Sequence, residues 1–298
     1  MALVLVLWVL TLLTVMAGSF SLSMRREASV IQSIRDSAEA GAIAEAGIAL
    51  AEQMLLGKDP EKRWKMDGTI YQLGYADAMI RLQVFDERGK IDINQGDPQL
   101  LKSLLEYAGI TGQQKSEITD AILDWRDTND LVHINGAEKN QYEDAGLPYH
   151  PRNKPFKTID ELQLVLGMNE QIYNKIEPLI TIYSGQKQVD KKRATKEVLQ
   201  AITDVNSDAE GDLSAAQPAI IRADETTAAA QNAALPASTA GPGKNDALTI
   251  IAEAKLKNGA KSMIKAIIKQ RAGKNGQPFT VLDWKRGHVN DATLFAGE

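Results

Sequence analysis

The chain has no cysteine among its 298 residues. That excludes thiol nucleophiles, Cys-ligated zinc and iron–sulfur clusters. It does not decide the compartment, because a chain of this length can build adequate cores without disulfides. Histidine is scarce too: His133, His150 and His288 are the only three, too few for a multi-histidine catalytic metal centre. There is no basic excess. The formal net charge of -5 does not suit a general nucleic-acid binder. Two further absences are local. No charge occurs before Arg25 and no proline before Pro60. The apolar run from Met1 to Phe20 is about 20 residues, the length a helix needs to cross a bilayer. Beyond it, a high content of Ala, Leu, Ile, Glu and Gln favours helix as far as Leu56. The whole stretch reads as one rod of roughly 80 Å. No basic residue precedes the apolar run, and Ala17, Gly18 and Ser19 lead into more helix. A retained anchor therefore fits better than a removed signal peptide.

Leu5 keeps the membrane part uniformly apolar. Small residues are dense beyond it, and Ala38, Gly41, Ala42, Gly47 and Ala49 lie at spacings that form a smooth stripe. Such a stripe lets another backbone approach closely, with Glu45 beside it on a wetter face. Arg25 and Arg26 alone would keep the bulk of the chain cytoplasmic by the positive-inside rule.

Met79–Phe85 partly alternates, as a half-buried strand does. Asp86–Gly89 is read as its turn and Lys90–Asn94 as a returning strand, giving a hairpin across the exposed half of the long helix. Trp64 and Tyr71 are read as apolar anchors. From Asn94 a helical pattern begins through Leu100, Leu101, Leu104 and Leu105, broken by Gly109 and Gly112. Ile118, Ile122 and Trp125 line the next helix. A second copy of the pattern runs from Leu162 to Ile176, so the stretch reads as tandem helical hairpins of the helix-hairpin-helix or SAM-like kind. Their loops lack a basic cluster, which favours a packing device over contact with DNA phosphates.

The most chemically loaded stretch is the acidic loop. Hard oxygen ligands at close spacing are what calcium requires. Asp127, Asn129, the Leu131 carbonyl and Glu138 have EF-hand-like spacing, but the glycine an EF-hand needs is replaced by Val132. Asp124, Asp130 and Asp144 could add ligands to one ion. Two other readings stay open: a solvated loop with N-cap aspartates, and a two-carboxylate hydrolase site.

Beyond residue 184, Gln186–Asp190 is read as a short strand, and Thr195 as the cap of a helix through Val198, Leu199 and Ile202. Residues 206–246 are poor in large apolar side chains and read as a flexible linker. Leu248–Leu256, Ala260–Gln270 and Gln277–Trp284 read as three antiparallel strands with one apolar face, although Ile264, Ile267 and Ile268 of the second also fit a helical period. That face needs a cover, and residues 27–56 of the rod are the obvious one. The fold class is α+β.

In their order, several segments resemble the K-type minor pseudopilins of bacterial type II secretion. They are the N-terminal apolar helix, Gly89–Asn94, Ala121–Asp127, Gly136–Glu138 with Tyr142, Asp160–Leu162 with Gly167 and Met168, and Val281–Trp284. The resemblance implies a long N-terminal transmembrane and amphipathic helix packed on a small pilin-like antiparallel sheet, with an inserted all-helical domain. The expected divisions are 1–24 for the transmembrane part, 25–93 and 185–298 for the pilin-like domain, and 94–184 for the insert. It implies a non-enzymatic subunit of the inner membrane that assembles with the I and J minor pseudopilins at a pseudopilus tip. Other pseudopilins and the inner-membrane secretion platform are further expected partners. Family precursors carry a short basic leader cut by the prepilin peptidase, so Met1 is expected to be the first residue of the mature form. That leader would hold the N-terminus cytoplasmic and place Arg25 and all later residues in the periplasm. The family also implies calcium in the insert. Most pilin-like chains have a glutamate at mature position five, whereas the K-type branch departs from it, as Leu5 does here. The main alternative is a membrane-anchored helix-hairpin-helix protein that binds DNA.

Overall fold

A computed structural model describes residues 2–57, 63–203, 220–222, 246–271, 278–287 and 293–295. Helix α1 runs unbroken over Ala2–Leu55. Its first half is exposed along its whole length and is long and apolar enough to cross a membrane. Burial starts at Ala40 and recurs at Gly41, Ile43, Ala44, Gly47, Ile48, Ala51 and Leu55, a single helical face.

That face lies on a six-stranded sheet. The strands are β1 (Ile70–Tyr75), β2 (Ala78–Asp86), β5 (Ile220–Arg222), β6 (Ala247–Leu256), β7 (Lys261–Gln270) and β8 (Phe279–Gly287). Their order is β5-β1-β2-β6-β7-β8, antiparallel except for the short β5–β1 pair. The inner face supplies Ile80, Leu82 and Val84 from β2, Ile250, Ala252 and Ala254 from β6, and Ile264, Ala266 and Ile268 from β7. This strict alternation is what one covered face demands.

The small residues of α1 set its distance from the sheet. A Cβ on Gly47 would lie 3.1 Å from Ile80 Cγ2 and 3.2 Å from Leu82 Cδ2. Gly41 faces Ser262. The two glycines of the sequence-read stripe are therefore used against the chain's own sheet, while Ala38, Ala42, Glu45 and Ala49 remain exposed. Gly47→Leu should cost about 2–3 kcal/mol by overpacking, against almost nothing for Ala46→Leu on the exposed side; thermal unfolding of the full chain in detergent would measure the difference.

Three strand expectations need correction. The hairpin turn is at Ala76–Asp77, with Tyr75 paired to Ala78, and β1 is the partner of β2. Asp86–Gly89 instead leads into a 3-10 turn over Glu87–Gly89. Ile91–Asp92 (β3) pairs in parallel with Ile180–Thr181 (β4), a separate two-stranded sheet. Gln186–Asp190 forms no strand. Within 206–246, residues 220–222 are β5; nearly all the rest of that linker lies outside the described residues.

Between β3 and β4 come α2 (Pro98–Tyr107), α3 (Gly112–Arg126), α4 (Lys139–Asp144) and α5 (Glu170–Ile176). Asp97 and Asn169 cap α2 and α5 through their side chains. The limb before α5 is a six-residue 3-10 segment, Ile159–Leu164, so the second hairpin does not repeat the first. Helix α6 (Lys196–Ile202), capped by Thr195 as the sequence indicates, packs on the same helical core as α2.

The register locates this helical insert. Gly41 sits near Ser262, and Gly47 near Leu82 and Ala252, so α1 advances towards the Asp86 end of β2. The insert begins there, at the end of the sheet remote from the apolar half of α1. It leans on the outer face, where Lys265 of β7 meets Glu177 at 2.7 Å and Lys285 of β8 meets Asp160 at 2.6 Å.

Candidate functional site

The acidic loop is held between α3 and α4. Asp124 is in the last turn of α3, and its carboxylate is fully buried. Its Oδ1 accepts from the His133 backbone N–H at 3.2 Å and also contacts His133 Nδ1. Asp127, the C-cap residue of α3, completes a group in which one ligand atom each from Asp124, Asp127 and His133 lies within 4.8 Å of the others. Such a group can coordinate a metal ion. The loop that brings His133 back is built from short local bonds. Asn129 N–H donates to Asp127 Oδ1 at 3.1 Å, Leu131 N–H to Asn129 Oδ1 at 2.8 Å, and Asn135 to Asp120 at 3.1 Å. Gly136 is a close-approach position: a Cβ there would lie 1.9 Å from Asp124 Oδ2.

Glu138 is buried at the start of α4, where its backbone N–H donates to Gln141 Oε1 at 2.9 Å. Among the described residues its Oε1 has no hydrogen-bond partner, and neither do Asn153 Oδ1 and Trp125 Nε1. Burial, reinforced by Asp124, Asp127 and Asp130, pushes the Glu138 carboxyl up to about 7. The hydrogen bond with Asp124 raises His133 above its ordinary value.

Of the sequence-read ligands, Asp124 and Asp127 converge. Glu138 brings an orphaned oxygen to the same loop. Asn129 and Asp130 are tied into the loop's own bonds, with Asn153 Nδ2 donating to Asp130 Oδ1 at 2.6 Å. The Leu131 side chain projects outward, and Asp144 is exposed at the end of α4, outside the converging group. His133 is the residue that sequence reasoning missed. Its spacing from Asp124 is uninformative until Gly136 lets the loop fold back.

Both titrations carry the same sign. In cation-free protein, stability supplied by protonated Glu138 is complete below its unfolded value of 4.5 and is lost as pH rises towards 7. The His133 contribution is present below 6.5 and is lost as pH rises through its elevated folded value. Denaturant titrations in chelator at pH 5 and pH 8 should show a less stable protein at the higher pH. Glu138→Gln should flatten that dependence.

Three comparisons bear on this arrangement. Residues 82–185 match the family model described as "Type II secretion system (T2SS), protein K". Curated relatives include type II secretion system protein K of Dickeya chrysanthemi, 31% identical over 30% of this chain and 24% of that one. That of Klebsiella pneumoniae is 30% identical over 38% of this chain and 36% of its own, and that of Pseudomonas aeruginosa 25% identical over 43% and 41%. The chain thus spans between about a quarter and two fifths of the length of these relatives. A solved chain from the GspK-GspI-GspJ complex of enterotoxigenic Escherichia coli covers 89% of this chain and 99% of its own, with a TM-score of 0.52 at 17% identity. That likeness establishes the fold: a pilin-like core of long helix and antiparallel sheet, with a helical insert.

Proposed function

We propose that this chain is a minor pseudopilin of the type II secretion system protein K family, a structural subunit that caps the tip of a pseudopilus together with I- and J-type subunits. The observation that carries the reading is the polarity of the molecule. An exposed apolar half-helix lies at one end, and a bulky helical insert lies beyond the sheet at the other. The apolar half of α1 serves as a single anchor in the inner membrane, with its N-terminus cytoplasmic and the sheet and insert periplasmic. On assembly the exposed stripe of Ala38, Ala42, Glu45 and Ala49 meets partner helices, where small side chains allow close approach. The insert occupies the space into which a further subunit would otherwise add. Other pseudopilins and the secretion platform contact the chain below it, and the prepilin peptidase acts on its precursor.

The test is co-expression of residues 27–298 with the periplasmic domains of candidate I- and J-type pseudopilins. The expected result is a one-to-one-to-one complex by size and mass. A chain that stays monomeric in that mixture would overturn the assignment. Absence of salt-sensitive binding in a gel-shift assay would dispose of the DNA-binding alternative.

The acidic loop fits a divalent cation, with calcium the best match to its oxygen donors. Asp124 and Asp127 supply charge, and the orphaned oxygens of Glu138 and Asn153 supply acceptors that otherwise lack a partner. His133, engaged with Asp124 in the cation-free state, gives way to a hard cation. A bound ion would neutralise the converging carboxylates and fix the loop against the rest of the insert. Calorimetry with calcium should show binding that Asp127→Asn weakens at least tenfold. Because the ion competes with protons on Glu138 and His133, its stabilising effect should be larger at pH 8 than at pH 5.

A further inference from the structure

The outer face of the sheet, opposite α1, holds a short segment that is remote in sequence from the strands beneath it. Thr293–Phe295 lies over Arg81 of β2, Glu253 and Lys255 of β6, and Lys261 of β7. Arg81 and Glu253 are direct cross-strand partners. Glu253 is 1% exposed, although it is a carboxylate on the face away from the apolar core.

Every residue of the segment is held in its own way. The Thr293 hydroxyl donates to Glu253 Oε1 at 2.6 Å and accepts from Lys261 Nζ at 3.3 Å. The Leu294 N–H donates to Glu253 Oε2, and its carbonyl accepts from Arg81 Nη1 at 2.9 Å. Leu294 is thus gripped through its backbone, by a carboxylate on one side and a guanidinium on the other. Phe295 is 3% exposed, with the Arg81 guanidinium 4.4 Å from its ring centre and the Lys255 and Lys261 ammonium groups at 5.4 Å. Cations over an aromatic face select for aromatic rings. Charge-assisted hydrogen bonds to a buried carboxylate select for a hydroxyl donor followed by a free backbone N–H.

We propose that this face is a peptide-recognition site for extended segments of the form Ser/Thr-x-aromatic, filled here in cis by Thr293–Phe295 and open to exchange with a matching segment of another polypeptide. A segment in cis competes at high effective concentration, so exchange is visible only when the resident segment is weakened.

The test uses the full chain in detergent and a fluorescent synthetic peptide of residues 290–298, read by anisotropy. Phe295→Ala in the chain should unseat the resident segment and let the peptide bind at least tenfold more tightly than it binds the unaltered chain. Binding should fall at least tenfold when the peptide itself carries Phe295→Ala and about fivefold for Thr293→Val. It should change less than twofold for Leu294→Ala or Thr293→Ser. Adding Glu253→Gln to the chain should weaken binding about tenfold. A folded F295A chain that ignores the peptide at millimolar concentration would overturn the proposal, as would equal binding of the Phe295→Ala peptide. Should F295A not fold, hydrogen exchange at the Leu294 amide of the unaltered chain replaces it. Excess peptide should speed that exchange, and an unchanged rate would count against the site.

Discussion

Gly89→Ala is expected to destabilise this chain severely, although it adds only one methyl group. A Cβ at Gly89 would lie 2.2 Å from the Arg193 carbonyl oxygen, 2.6 Å from its carbon and 2.9 Å from the Ala194 nitrogen. All three are backbone atoms, which cannot rotate away as a side-chain end can. Neither side can move freely. Gly89 closes the 3-10 turn between β2 and β3, and Lys90 N–H bonds Glu87 O at 3.1 Å. The Asp190 N–H donates to Arg88 O at 2.9 Å, and Arg193 N–H and Ala194 N–H both return to Asp190 O. Overpacking usually costs 1–3 kcal/mol, and a backbone-on-backbone clash falls at or above that limit, so a loss of about 4 kcal/mol is expected. Thermal unfolding would measure it. Hydrogen exchange resolved by segment should show α3 and β6 losing protection together, because the damaged joint connects insert and sheet.

Asp86→Ala should produce a loss of similar size by a different route. The Asp86 side chain is fully buried and bonds Arg88 at 3.0 and 2.8 Å, and it also pairs with Arg193. Arg88 further pairs with Asp246, and Arg193 with Asp190 at 3.0 Å. The hydrogen bond to Asp86 is the main reason that the Arg88 guanidinium is held above its ordinary value. Removing the central carboxylate leaves two largely covered guanidinium groups facing each other. Breaking a buried pair from one side costs about 3–5 kcal/mol, more than the pair itself contributes. Asp86→Asn keeps the acceptor geometry without the charge and should fall between the two. The relevant measurement is the urea midpoint, with Asp190→Ala, at the partly exposed rim of the same cluster, as the milder comparison. If Asp86→Ala shifts the midpoint no more than Asp190→Ala does, the central role assigned to Asp86 fails.

Both predictions concern a joint that the primary structure disguises. Asp86–Gly89 has the composition of a hairpin turn, and the chain does turn there, but into the insert. The true hairpin turn is Ala76–Asp77, where Ala76 takes φ 51° without any of the usual turn residues beyond the aspartate. Local composition therefore misplaced the turn by about ten positions. The pairing of β3 with β4 could not be read locally at all, since the two strands are separated by the whole insert. The acidic loop divides in the same way. Its richness in hard oxygen donors is a property of composition. Which carboxylates converge depends on Gly136 and on the loop that returns His133 to Asp124. Thr293–Phe295 carried no signal, because its binding partners come from three different strands.

Periodicity and composition were enough to determine the long helix, its apolar half, the strands β6 and β8, and the need for residues 27–56 to cover the apolar face of the sheet. Each of these depends on residues close in sequence and on the exclusion of apolar surface from water, which acts on any arrangement of the same pattern. Tertiary structure alone decided that Gly41 and Gly47 serve the chain's own sheet, that Asp86 is the buried centre of the joint, and that Glu253 is closed over by a distant segment. Those outcomes rest on steric contact and on charge pairing between residues far apart in the chain, and such contacts exist only once the backbone has been folded around them.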